Sequence, residues 1–124
     1  MGPILIGAMM ISNDSKHLYI SNRYGSVKKI NLKTYGLPVN HRKIGETIMS
    51  MVYTPDGKNC FFGDKTGKLY SYCMACDTVK KDCGHIMKNS IHTMIASPDS
   101  KTLLLADSDG NLKLLSVIMY HRVN

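Results

Sequence analysis

Apolar residues along this chain fall into short runs, each closed by a cluster of turn-forming residues. The first set reads Met9-Met10-Ile11, then His17 to Ser21, then Val27 to Leu32. The same order returns as Met49 to Tyr53, Cys60 to Phe62 and Leu69 to Cys73, and again as Met94 to Ala96, Leu103 to Leu105 and Leu112 to Val117. Such runs have the length of strands and are too short for ordinary helices. The first turn of each set is one motif with small edits: Ser12-Asn13-Asp14-Ser15-Lys16, Thr54-Pro55-Asp56-Gly57-Lys58 and Ser97-Pro98-Asp99-Ser100-Lys101. Pro55 and Pro98 pre-set φ at a central turn position, and Asp or Asn tolerates the tight backbone beside it. The second turn of each set ends at Gly25, Gly67 or Gly110, where a hairpin commonly requires positive φ. Both landmarks recur at separations of 42 and then 43 residues. A fixed period of this size predicts one supersecondary unit stacked on copies of itself. A further strand fits between sets, most clearly at Val79 to Cys83 and less clearly at Val39 to Ile44, where His41, Arg42 and Lys43 interrupt it.

Four short antiparallel strands per period describe a blade of a β-propeller. Residues 97–114, from Ser97-Pro98-Asp99 through Ala106-Asp107-Ser108-Asp109-Gly110 to Leu114, resemble the core of a WD repeat. Gly84-His85 is similar to the glycine-histidine pair that opens such repeats, and Leu18-Tyr19-Ile20-Ser21-Asn22 resembles the related LYVTN-type repeats. The tryptophan of the WD pattern would stand at Ile30, Tyr72 and Leu115, and its following aspartate at Asn31, Cys73 and Ser116. The histidine-serine-aspartate-tryptophan network of that family is therefore expected to be absent or incomplete in every copy. The resemblance implies an all-β fold of three consecutive four-stranded antiparallel blades, over about 4–44, 45–86 and 87–124, with the last strand unassigned. Closed propellers have about four to eight blades. Three leave apolar sheet faces uncovered at both ends of the stack, a loss that rim solvation does not repair. The expectation is a segment of a larger ring, completed by further blades in cis or in trans.

Composition adds little to the fold: 44% apolar and 20% charged residues are ordinary for a globular protein. The net charge of +7 is uneven, with seven Lys or Arg against Asp14 and Glu46 in residues 1–50. Lys28, Lys29, Lys33, Arg42 and Lys43 gather on the outer strands of the first blade and the loop that follows. A basic surface suits nucleic acid, anionic lipid or acidic protein segments. With no nucleic-acid motif beside it, the cluster reads first as a lysine-rich edge that discourages strand pairing between molecules. A leaderless chain with four cysteines reads as an intracellular protein with reduced thiols, most simply cytoplasmic, with nuclear or cytoskeletal placement left open. Cys73, Cys76, Cys83 and His85 have the residue types of a zinc site, but the blade reading puts roughly 20 Å of strand between Cys76 and Cys83. Metal and other cofactors are not expected.

WD-like propellers generally serve as rigid platforms that gather other proteins, so the resemblance implies a non-catalytic scaffold or interaction module. One rim is built from the turns between second and third strands and from the loops between blades. Its candidate contact residues are Arg23, Tyr24, Asp64, Lys65, Asp107 and Asp109, with His41 and Arg42 between blades. Arg and Tyr are frequent binding anchors, whereas the aspartates are equally at home as turn formers. An enzyme would need acids, bases or metal ligands converging from several blades. Glu46 is the sole glutamate, and the histidines at 17, 41, 85, 92 and 121 share no blade position. A propeller enzyme with its site in the central channel, and a basic nucleic-acid or membrane-surface binder, remain the alternatives.

Overall fold

The computed structural model describes residues 6–12, 14–34, 40–73 and 78–118, with backbone alone for Ile6 and residues 40–43. Its strands are β1 (Ile6–Ile11), β2 (His17–Asn22), β3 (Ser26–Asn31), β4 (Asn40–Lys43), β5 (Ile48–Tyr53), β6 (Cys60–Asp64), β7 (Lys68–Cys73), β8 (Thr78–His85), β9 (Ile91–Ala96), β10 (Thr102–Asp107) and β11 (Leu112–Ser116). They form three antiparallel meanders in chain order: β1-β2-β3-β4, β5-β6-β7-β8 and β9-β10-β11. These are the blades expected from the repeat. The third has three strands among the described residues, and the place of a fourth lies outside them. No helix of the described residues is long and apolar enough to cross a membrane.

The turn joining the first two strands of each blade is built identically three times. The hydroxyl of Ser12, Thr54 or Ser97 donates to Oδ1 of Asp14, Asp56 or Asp99 at 2.5, 2.6 and 2.5 Å. The same oxygen accepts the backbone N–H of Lys16, Lys58 or Lys101 at 2.9–3.0 Å. The hydroxyl in turn accepts the N–H of His17, Asn59 or Thr102 at 3.0–3.2 Å. The short polar side chains thus replace the backbone partners that a tight turn cannot supply. In all three carboxylates the hydroxyl's hydrogen bond, followed by the lysine N–H, holds the pKa below its ordinary 3.8.

The blades stack face to face. Between the first two lies a core of Met10, Tyr19, Val27, Ile48, Cys60, Phe62, Tyr70 and Tyr72. Tyr72 stands where the WD pattern has tryptophan, stacks on Phe62 at 4.6 Å between centroids and meets the edge of Tyr19 at 6.4 Å. Between the second and third lies a core in which Phe61 packs with aliphatic and methionine side chains, among them Leu69, Ile91, Met94, Leu103, Leu105 and Leu115. Strand β6 is buried along its whole length because it is covered on both faces. Strand β10 instead alternates, with every second residue buried, because only one of its faces is covered.

Gly84-His85 ends β8, the last strand of the second blade and upstream of the third, and His85 pairs there with Lys68. One sequence expectation changes. Cys73 is disulfide-bonded rather than a free thiol, so its sulfur offers zinc no thiolate. Cys60 and Cys83 are free, and burial raises the pKa of both. Cys76 lies outside the described residues.

Candidate functional site

The second turn of each blade places its candidate residues by a side-chain cap. Asn22 Oδ1 accepts the N–H groups of Tyr24 and Ser26 at 2.9 and 3.2 Å. Asp64 Oδ1 accepts those of Thr66 and Lys68 at 2.8 and 2.9 Å, and the Thr66 hydroxyl at 2.7 Å. Asp107 Oδ1 accepts those of Asp109 and Asn111 at 3.0 and 2.9 Å, while its Oδ2 takes the Asn111 amide at 3.0 Å. Both aspartates are buried, and their oxygens are turned into their own turns. They hold the rim in shape from inside. The Asn111 amide is the main cause of a lowered Asp107 pKa. Arg23, Tyr24, Lys65 and Asp109 are the neighbours that these caps leave pointing outward and exposed. The side chains of His41 and Arg42, on β4, fall outside the described residues.

Part of the WD-type network survives in the second blade. His85 Nε2 lies 3.3 Å from the Thr66 hydroxyl, which bonds Asp64, whose Oδ2 accepts the Tyr70 phenol at 3.3 Å. Burial, reinforced by the Asp64 charge, pushes the Tyr70 pKa up to about 12. The phenol therefore stays protonated at neutral pH and remains a donor.

This network floors a groove of about 720 Å³ between the turns of the first two blades. Its walls carry Arg23, Tyr24, Glu46, Lys65, Lys68 and His85. Tyr24 is 63% exposed, and the Arg23 guanidinium sits 5.2 Å from its ring centroid. The Thr47 hydroxyl donates to the Arg23 carbonyl and pins this turn to the start of the second blade. Lys65 reaches Glu46 at 3.7 Å, both half-exposed, so the pair is screened and weak. Lys68 bonds Asp82 at 2.9 Å, which raises the lysine pKa. The structure thus joins Arg23, Tyr24 and Lys65 into one surface and adds Glu46, Lys68 and His85, which the sequence reading did not place there. The available signal was Glu46, the sole glutamate, lying in a loop between blades. Asp109 lies on the turn of the third blade, where the Asn89 amide donates to it at 2.6 Å. Among the described residues no three His, Cys, Asp or Glu side chains are grouped to hold a metal ion.

No protein-family model and no curated protein sequence matches the chain. Solved structures that its fold matches include one of U3-55K and one of the RRP9 WD40 repeats, each with a TM-score of 0.82 at 13% identity. The match covers 100% of this chain and 39% of either neighbour. At that identity the likeness fixes architecture: three blades of a WD-repeat-like propeller, an incomplete ring, spanning well under half the length of the structures it resembles.

Proposed function

We propose that this stretch of WD-like propeller is a non-catalytic platform that holds another protein on its turn rim, within a ring completed by further blades. The observation that carries the reading is the Arg23–Tyr24 pair, exposed above a groove whose floor is rigid. Asp64, Thr66, Tyr70 and His85 are hydrogen-bonded to one another beneath it. A rigid floor with an exposed aromatic and guanidinium at its lip is what a binding anchor requires, since little ordering remains to be done on association. Mixed charge along the walls, from Arg23, Lys65 and Lys68 to Glu46, favours a polar protein segment over a uniformly anionic polymer. Asp64 and Asp107 contribute by fixing the turns, and Asp109 with Lys65 extends the same rim.

The test is capture of partner proteins from the native source by the immobilised chain, with and without the double change Arg23→Ala and Tyr24→Ala. Both side chains are exposed, so the fold is expected to survive, as checked by circular dichroism. Partner recovery is expected to fall at least tenfold, as a rim anchor of about 1.4 kcal/mol or more dictates. Undiminished recovery would place the binding surface elsewhere.

A further inference from the structure

The strand registers align the rim of each blade with that of the next. Ile6, Ile48 and Ile91 each begin the first strand of a blade, opposite the cap residues Asn22, Asp64 and Asp107. Two residues earlier, Glu46 and Asn89 are therefore equivalent, and Ile4 is their counterpart in the first blade. One residue after the caps, Arg23, Lys65 and Ser108 are equivalent, and after them Tyr24, Thr66 and Asp109. In the second and third blades the earlier residue answers a charge on its own turn. Glu46 meets Lys65 at 3.7 Å, and the Asn89 amide donates to Asp109 at 2.6 Å. The first blade's turn carries the Arg23 guanidinium, and the aliphatic side chain of Ile4 has no acceptor to offer it. Ile4 itself lies outside the described residues.

The other charges of the groove are committed. Lys65 faces Glu46, Lys68 bonds Asp82 at 2.9 Å, and the Asp64 carboxylate is spent on Thr66, Lys68 and Tyr70. The His85 ring is engaged with the Thr66 hydroxyl. Among the described residues Arg23 has no carboxylate partner, and its guanidinium rests on the Tyr24 ring. Its backbone is fixed before any partner arrives. The Thr47 hydroxyl donates to the Arg23 carbonyl, the Ile44 N–H donates to the Gly25 carbonyl at 2.7 Å, and Asn22 holds the Tyr24 N–H. Gly25 has φ of +81°, and a Cβ there would sit 1.8 Å from the Gly45 carbonyl oxygen, so the linker closes on this turn only over glycine.

We infer that the partner segment enters this groove with one aspartate or glutamate side chain, whose carboxylate is held by the Arg23 guanidinium while Tyr24 backs it. This rests on reading the rim as a platform for another protein, and it names what that protein presents. A guanidinium stacked on an aromatic ring keeps its N–H fork free, and the fork matches the paired oxygens of a carboxylate or a phosphate. Charge selects between them. A phosphate monoester brings about −1.5 to −2 at neutral pH, against one uncommitted guanidinium with Glu46 on the neighbouring wall. A carboxylate brings a single negative charge and balances it. Glu46 equally disfavours a run of acids, so the segment carries its acid singly among polar residues.

The test is selection on the immobilised full chain from a displayed library of random peptides, fused through their C-termini so that side chains supply every carboxylate. Groove-dependent peptides are those no longer held when Arg23→Ala and Tyr24→Ala are combined, and they are expected to share an Asp or Glu at one position. Synthesised with amidated ends and with Asn or Gln at that position, they are expected to bind about tenfold more weakly or worse. Against Arg23→Gln the same change is expected to cost less than about twofold, because the partner of the acid is already gone. Arg23→Lys keeps the charge without the fork and is expected to recover only part of the difference. Circular dichroism checks that these exposed-site variants keep the fold. An acid whose amide form costs the same with and without the guanidinium would overturn the inference. So would peptides displaced by inorganic phosphate at concentrations where acetate has no effect. Groove-dependent peptides with no acidic position would overturn it and leave the platform standing, whereas a library yielding no groove-dependent peptide would sink both.

Discussion

Alanine at Gly67 and at Gly110 separates the cost of backbone strain from the cost of disturbing a blade junction. Both glycines end the second turn of their blade, with φ of +93° and +84°, and both donate N–H to the cap residue's carbonyl, at 3.2 and 3.1 Å. A left-handed conformation costs an L-residue about 1–2 kcal/mol, so this loss is common to both variants. Their surroundings differ. A Cβ at Gly67 would lie 2.0 Å from the Met87 carbonyl oxygen and 2.9 Å from that of Asn89. At Gly110, no described atom lies within 4 Å of it. The segment displaced at Gly67 links the second and third blades, and the Gly67 carbonyl accepts its Ile86 and Met87 N–H groups at 2.9 and 3.1 Å. Losing two such bonds costs about 0.5–1.5 kcal/mol each. Gly110→Ala is thus expected to lose about 1–2 kcal/mol and Gly67→Ala about 2–5 kcal/mol, a large part of a typical total stability of about 5–15 kcal/mol. Urea titration followed by far-ultraviolet circular dichroism reads both, with slopes compared to confirm that compactness is unchanged. Equal losses, within about 0.5 kcal/mol, would refute the claim that linker packing at Gly67 is what distinguishes these turns.

Phe61→Ala removes a fully buried ring from the core between the second and third blades. It should cost about 3–5 kcal/mol in the same urea assay; a loss below about 0.5 kcal/mol, the range of surface changes, would show that this junction is not closely packed. The triplicated turn sets the acid limb. Asp14, Asp56 and Asp99 have folded pKa values below their ordinary 3.8, so the stability they contribute is complete above that value and is lost as pH falls through the lower folded values. The urea midpoint should hold down to the ordinary carboxylate range and then drop. The combined Asp14→Asn, Asp56→Asn and Asp99→Asn variant should lose part of that drop, and an unchanged acid limb would dissociate these carboxylates from it.

Strand content, turn positions and the repeat were determined by the sequence alone, because each depends on near neighbours. An apolar run of strand length, a Ser/Thr-x-Asp cap and a glycine at positive φ act within a few residues of one another. A propeller blade followed from their spacing, and the WD likeness from the residues of 97–114 that resemble the core of such a repeat. Direction and partnership were decided only by the tertiary structure. Nothing local in Asp64 or Asp107 told whether the carboxylate turns outward to a partner or inward to cap its own turn, and burial settled that. Glu46, Lys68 and His85 joined the rim groove only once the first two blades were stacked. Each blade junction also carries a serine bond, from the Ser21 hydroxyl to the Ile48 carbonyl and from the Ser50 hydroxyl to the Ile91 carbonyl, both at 2.8 Å. It was hidden for a related reason: its donor sits on the second strand in one blade and on the first strand in the next, as Ser21 and Ser50. Aligning the repeats sets Ser21 against Gly63 and Ala8 against Ser50. The pattern emerges only when neighbouring strands are paired, since either strand of a row can deliver a hydroxyl to the same point in space.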